Sequence, residues 1–155
     1  MIYASVNEIC TLLEKAAVGR GFDLGTGQWL SQATLIALKK GQPGLDWALA
    51  ALGDDPAPIH LNKGPNGYTC TSRSVLAAGP ALTDLHRAGL NPAHTHLNQS
   101  ALLDTLLEGD IGASTAPFCV DEKIWEALLL LAAKTTVPAS EKSRMGAGSI
   151  ASDTD

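Results

Sequence analysis

Glycine and proline residues divide this chain into short apolar blocks. Fifteen glycines and eight prolines occur among the 155 residues, and most of them lie between the blocks. Because glycine commonly ends a helix and proline cannot continue one, this distribution of glycines and prolines predicts many short elements connected by turns. Hydrophobic residues make up 45% of the chain and charged residues 17%, which is too apolar for a disordered protein. We therefore expect residues 1–155 to form a single domain around one core.

Helical periodicity predicts a helical hairpin at the N-terminus. Ser5 and Glu8 have the spacing of a capping box, in which each side chain accepts a hydrogen bond from the other residue's backbone N–H. Apolar residues recur at helical spacing over residues 9–17 and again over residues 29–37, and glycines separate the two runs. Since the connection is only a few residues long, the two helices should pack antiparallel.

The remainder of the chain alternates between helical and extended patterns. We predict a helix over 45–52, a β-hairpin with arms at 59–61 and 68–71, helices from Pro80 to Arg87 and from Gln99 to Leu107, a loop and strand over 111–120, and a leucine-rich helix over 124–133. The predicted fold is α+β and predominantly helical, with a small β-hairpin or short sheet in the middle and a buried leucine-rich C-terminal helix followed by a polar tail. Because its leucines cover more than one face, that helix should be either central in the core or part of a subunit interface.

Charge and hydropathy exclude several classes of function. The net charge is -5, and the basic residues are scattered, so we expect no nucleic-acid binding. The first residues lack the basic segment of a signal peptide. The longest unbroken apolar run, residues 127–133, is too short to cross a membrane, which needs about 20 residues. We expect a cytoplasmic protein with no membrane partner.

The three cysteines do not suggest a disulfide framework or a zinc ribbon, because they are odd in number and widely spaced. Cys119 lies between Phe118 and Val120, and Cys10 lies on the apolar side of the first helix, so both are predicted to be buried. Cys70 lies in a hairpin arm and is predicted to be the most exposed of the three. A nucleophilic role is disfavoured, because no neighbouring base or cation would lower the pKa of its thiol.

The polar tail, residues 138–155, carries the densest group of potential ligand-binding side chains. The donors and acceptors in question are Ser140, Glu141, Ser143, Arg144, Gly146 and Gly148. An arginine fork, two hydroxyls and glycine amides can together hold a carboxylate or a phosphate. The alternative is a short helical turn capped by Ser140, followed by a solvated tail. The first hypothesis is therefore a domain that binds a small anionic or polar metabolite, with no identifiable catalytic motif and no cofactor.

His94 and His96 form the other candidate site. In an extended segment, residues two apart point to the same side, so both imidazoles could bind one metal ion. No third ligand lies at a common spacing, and two solvated histidines in a surface loop are the simpler interpretation. A hydrolase or lyase that uses His94, His96 or Glu141 as a general base is a further hypothesis. A hypothesis from a different functional class is an interaction protein, either a homodimer or a partner subunit of an enzyme, that associates through residues 124–133.

Both ends of the chain resemble a bacterial protein family. The matching segments are 5–9, 15–17 and 19–22 at the start, and 125, 132–135, 137–141, 143–144 and 146–148 at the end. They are similar to the uncharacterised family known as domain of unknown function 3726, and residues 78–81 fit it loosely. The resemblance implies no activity, cofactor or catalytic residue. One departure is clear: the family usually follows its Gly-Phe turn with an aromatic residue, a glycine and paired acids, whereas this chain has Asp23, Leu24 and Gly25.

Overall fold

The computed structural model describes residues 1–56, 59–94, 96–110, 112–113 and 115–135. Within them the chain forms six α-helices and two small sheets, which confirms the predicted α+β, predominantly helical fold. The helices are α1 (Val6–Gly19), α2 (Leu24–Lys39), α3 (Gly44–Gly53), α4 (Val75–Arg87), α5 (Ser100–Glu108) and α6 (Glu122–Ala132). The strands are β1 (Ile2–Ala4), β2 (Leu61–Gly64), β3 (Gly67–Cys70), β4 (Ala93–His94) and β5 (Phe118–Val120).

The N-terminal helical hairpin is present, and local capping bonds set where both helices begin. The Glu8 N–H donates to Ser5 Oγ at 3.3 Å, and the Ser5 N–H donates to Glu8 Oε2 at 2.7 Å, so the predicted capping box is formed. Asp23 caps α2 by accepting the Thr26 N–H at 2.7 Å. A Cβ on Gly27 would lie 3.0 Å from Glu14 Cα, so this glycine lets α2 approach the α1 backbone closely.

The central helix of the core is α2, and not the leucine-rich α6. Ten of the sixteen residues of α2 are buried, whereas α6 buries only Leu128 and Ala132. Leu129 is 48% exposed and Leu130 is 72% exposed. The prediction of a buried C-terminal helix is therefore correct for one face only. The physical reason is that α6 packs on α1 and α3 with that face, and no described residue covers the opposite one.

The two sheets link distant parts of the chain. Strand β1 pairs antiparallel with β5, with Ile2 opposite Val120, which brings the N-terminus to the start of α6. The sequence did not predict β1. The predicted hairpin exists as β2 and β3, displaced from the expected arms, and β4 adds to β3 in parallel.

Two helices begin at residues other than those predicted. Ser74 caps α4 by accepting the Ala77 N–H at 3.2 Å, so the helix begins before Pro80 and continues through it. The N-cap of α5 is Gln99, in a left-handed conformation with φ 55°, and not Asn98. Asn98 instead ties two loops together, because its N–H donates to the Arg73 carbonyl at 2.8 Å.

Candidate functional site

Helix α6 is held in place from both of its ends. At the start, the Asp121 carboxylate accepts the Lys123 N–H at 2.8 Å, directly after β5 has paired with β1. At the far end, Gly19 of α1 lies so close to the α6 backbone that an added Cβ would overlap the Leu131 carbonyl oxygen. A glycine at this position is therefore what allows α1 and α6 to contact each other backbone to backbone.

The side of α6 that points away from the protein is exposed along its whole length. We call it the outer face of α6, and it includes the short 3-10 turn Ala133–Thr135 that follows the helix. Its exposed residues recur at helical spacing: Glu122, Lys123, Glu126, Leu129, Leu130, Ala133 and Lys134. Two large apolar side chains thus lie in the middle of the stripe, with charged residues on either side of them.

An apolar groove runs along each side of the outer face, and each groove has a volume of about 420 Å³. The α1–α6 groove has Leu129 on its wall, and the α3–α6 groove has Leu130. Other lining residues are Glu8, Leu12, Lys15, Trp125 and Ala132 in the first groove, and Arg20, Leu49, Leu52, Ala127 and Leu131 in the second. The Arg20 side chain already has a hydrogen-bond partner within the protein, because its Nε–H donates to the Leu52 carbonyl at 2.6 Å. Together, the grooves and the leucines present a largely apolar surface of the kind that marks interaction sites.

A separate, polar cavity of about 240 Å³ lies between the loop after β3 and the loop before α5. It is lined by Thr71, Ser72, Arg73 and His96. The bond between Asn98 and the Arg73 carbonyl fixes the two loops relative to each other. His96 has φ 61°, which is an unfavourable backbone conformation for a residue with a side chain. None of the four lining residues is acidic, and all four carry hydrogen-bond donors. The Ser72 hydroxyl already donates to the Ser74 carbonyl at 3.5 Å.

The structure places His94 and His96 on different cavities. The extended backbone predicted for this segment ends at His94, because His96 is left-handed. His94 lines a narrow crevice of about 70 Å³ with His86 and Asn91, and His96 lines the polar cavity. In the part of the chain that the structure describes, no three His, Cys, Asp or Glu side chains are grouped so as to hold a metal ion.

The predicted exposures are wrong for Cys70 and Cys119, whereas Cys10 is partly buried against the core. Cys70 is buried, Cys119 is exposed and Cys10 is intermediate. Burial raises the pKa of the Cys70 and Cys10 thiols, which lowers their reactivity. Strand alternation is the signal that could have corrected Cys119. Its neighbours Phe118 and Val120 point inward, so its own side chain must point outward.

The remaining candidate residues of the sequence lie outside the described residues. They are Ser140, Glu141, Ser143, Arg144, Gly146 and Gly148, together with the rest of the 138–155 tail. Their proposed anion site therefore stays a prediction.

Comparison with known proteins leaves the family open. None of the described helices is long and apolar enough to span a bilayer. No family model, curated protein or solved structure matches the chain.

Proposed function

We propose that this chain is an interaction domain that forms homo-oligomers through the outer face of α6. The observation that carries the proposal is the contrast between neighbours on one helix: Leu128 is completely buried, whereas Leu129 is 48% and Leu130 is 72% exposed. A single exposed leucine needs no explanation, but two adjacent ones between two apolar grooves form a patch.

The size of this patch predicts a weak, reversible association. Fully burying a leucine side chain is worth about 1.5–3 kcal/mol, so the exposed parts of Leu129 and Leu130 offer about 2–4 kcal/mol per protomer. Association itself costs about 4–15 kcal/mol in lost freedom of motion. The leucines alone therefore barely offset that cost, and any further affinity has to come from filling the grooves.

Sedimentation velocity over a concentration series tests the proposal. We expect the wild-type sedimentation coefficient to rise with concentration, and the Leu130→Gln variant to stay monomeric. Leu24→Gln is the matched control, because Leu24 is a leucine of similar exposure, 54%, on a different helix. It should associate like the wild type. A wild-type protein that is monomeric at every concentration would contradict the proposal.

A second candidate function, binding of a small anionic metabolite, is supported by the polar cavity. The Arg73 guanidinium can form paired hydrogen bonds with a carboxylate or phosphate, and the Thr71 hydroxyl and the His96 ring can add further donors. We expect inorganic phosphate to bind in a calorimetric titration. Arg73→Lys should weaken binding about tenfold, because an ammonium lacks the planar fork. Arg87→Lys, in a different cavity, is the control.

The same titration separates this cavity from the tail. If Arg144 forms the anion site instead, Arg144→Lys should abolish binding while Arg73→Lys leaves it unchanged.

The hydrolase or lyase hypothesis has its own test, which is metal analysis of the purified protein before and after His94 and His96 are replaced by alanine. We also propose that the protein is cytoplasmic.

A further inference from the structure

We infer that the partner of the outer face is a second copy of this chain, packed antiparallel about a two-fold axis at Leu130. In this arrangement Glu126 of each copy lies opposite Lys134 of the other. The inference rests on the proposed function and adds the orientation and register of the interface.

The spacing of three exposed residues carries the inference. Glu126, Leu130 and Lys134 are all exposed and follow one another at intervals of four residues. An α-helix has 3.6 residues per turn and rises 1.5 Å per residue, so Glu126 lies within about 40° of Leu130 around the helix and about 6 Å from it along the axis. Lys134 lies in the 3-10 turn Ala133–Thr135, whose tighter winding of about 3.0 residues per turn and rise of about 2.0 Å place it about 80° from Leu130 and about 7 Å along the axis. A two-fold axis at Leu130 therefore brings each glutamate to within about 1 Å of the height of a lysine of the other copy, since an isologous interface pairs residues at similar distances from the axis.

Neighbouring registers and the opposite orientation bring like charges together. A parallel pair of α6 helices would place Glu126 beside Glu126. An axis displaced by one turn toward the N-terminus would do the same, and would also place Leu130 opposite Glu122. An axis displaced by one turn toward the C-terminus would place Lys134 beside Lys134. Charge complementarity thus favours the axis at Leu130, and charged rims are known to set register and orientation.

Ion pairs among the described residues do not account for the two charges, although Lys134 lies at the C-terminal end of the helix, where the dipole favours a cation. Neither Glu126 nor Lys134 has an ion-pair partner among the described residues. They cannot pair with each other, because eight residues separate them by about 13 Å along the axis. Compensation of the helix dipole does not explain Glu126, since it lies beyond the first turn of α6. The α3–α6 groove beside Leu130 is present on both copies, so each can receive apolar side chains from the other.

Charge reversal in the full-length protein tests the register. Glu126→Lys and Lys134→Glu each turn two attractive pairs into two repulsive ones, so each should raise the dimer Kd about tenfold. The double variant restores opposite charges and should return the Kd to within about threefold of the wild type. Glu108→Lys, an exposed reversal on α5, should leave the Kd unchanged.

Mixing the two single variants gives the sharpest result. One variant then presents lysine at both positions and the other presents glutamate at both, so a heterodimer has two attractive pairs. We expect equimolar mixing to return the Kd to near that of the wild type, about tenfold below the Kd of either variant alone. A variant that failed to fold could not produce this recovery.

The outcomes separate this inference from the proposed function. A wild-type dimer whose Kd is unchanged by either reversal overturns the register and leaves the interface on α6 standing. Loss of the dimer in both variants, with no recovery in the double variant or the mixture, also overturns the register. A wild-type protein that is monomeric at every concentration overturns both, and that is the result expected if residues 136–155 or a different protein cover the face.

Discussion

Replacing Gly79 with alanine should destabilise this protein, although glycine is normally the worse residue in a helix. Gly79 lies inside α4, where alanine is intrinsically favoured by about 1 kcal/mol. A Cβ at this position would lie 2.5 Å from Cη2 and 2.9 Å from Cε2 of the Trp29 indole, which is closer than real Cβ contacts come. The ring must therefore move.

The Trp29 ring cannot move without loss. Trp29 is 6% exposed, and its Nε1–H donates to Thr83 Oγ1 at 2.9 Å, while the Thr83 hydroxyl donates to the Gly79 carbonyl at 2.7 Å. Overpacking a core costs about 1–3 kcal/mol, and an unpaired buried donor costs about 1–3 kcal/mol. After the gain in helix propensity, we expect a net loss of about 1–5 kcal/mol in the free energy of unfolding.

Urea unfolding followed by far-UV circular dichroism measures this loss. Gly53→Ala is the matched control, because Gly53 ends α3 and an added Cβ there meets no described atom within 4 Å. That control should be neutral or slightly stabilising. If Gly79→Ala proved as stable as Gly53→Ala, the indole would not be confined and the reasoning about the packing of Trp29 would be refuted.

Three further predictions concern single side chains. Hydrogen bonds from the Ser5 hydroxyl and backbone lower the pKa of Glu8 below its ordinary 4.5, so its contribution to stability is complete above that pH and is lost as pH falls through the lowered pKa. Unfolding free energies of wild type and Glu8→Gln should accordingly converge in acid, and a difference that is independent of pH would contradict this. In thiol titration of the folded protein, Cys119 should react with a disulfide reagent and Cys70 should react only on unfolding; equal rates would contradict the observed burial. Leu128→Ala should lose about 2–5 kcal/mol of stability in urea unfolding, because the side chain is completely buried, and a loss below about 1 kcal/mol would show that α6 is not packed by this face.

Local signals in the sequence determined where several elements begin and what type they are. The capping box at Ser5 and Glu8, the periodicity of the first two helices and the glycine-containing β-hairpin all depend on residues a few positions apart. Such short-range chemistry acts before any tertiary contact forms, which is why the fold class was predicted correctly. The predicted start of a helix at Pro80 was wrong. The N-cap at Ser74 starts the helix earlier, and tertiary packing holds Trp29 against the buried Gly79.

Only the tertiary structure decided which apolar faces are covered. Periodicity showed that α6 has leucines on more than one side, but the choice between core and interface depends on whether another part of the chain packs there. Helices α1 and α3 pack on one side of α6, where they cover Leu128 and leave Leu129 and Leu130 exposed. The same limit explains the strand pairing of β1 with β5 and the placement of His94 and His96 on different cavities, because each depends on contacts or backbone angles that no local pattern encodes.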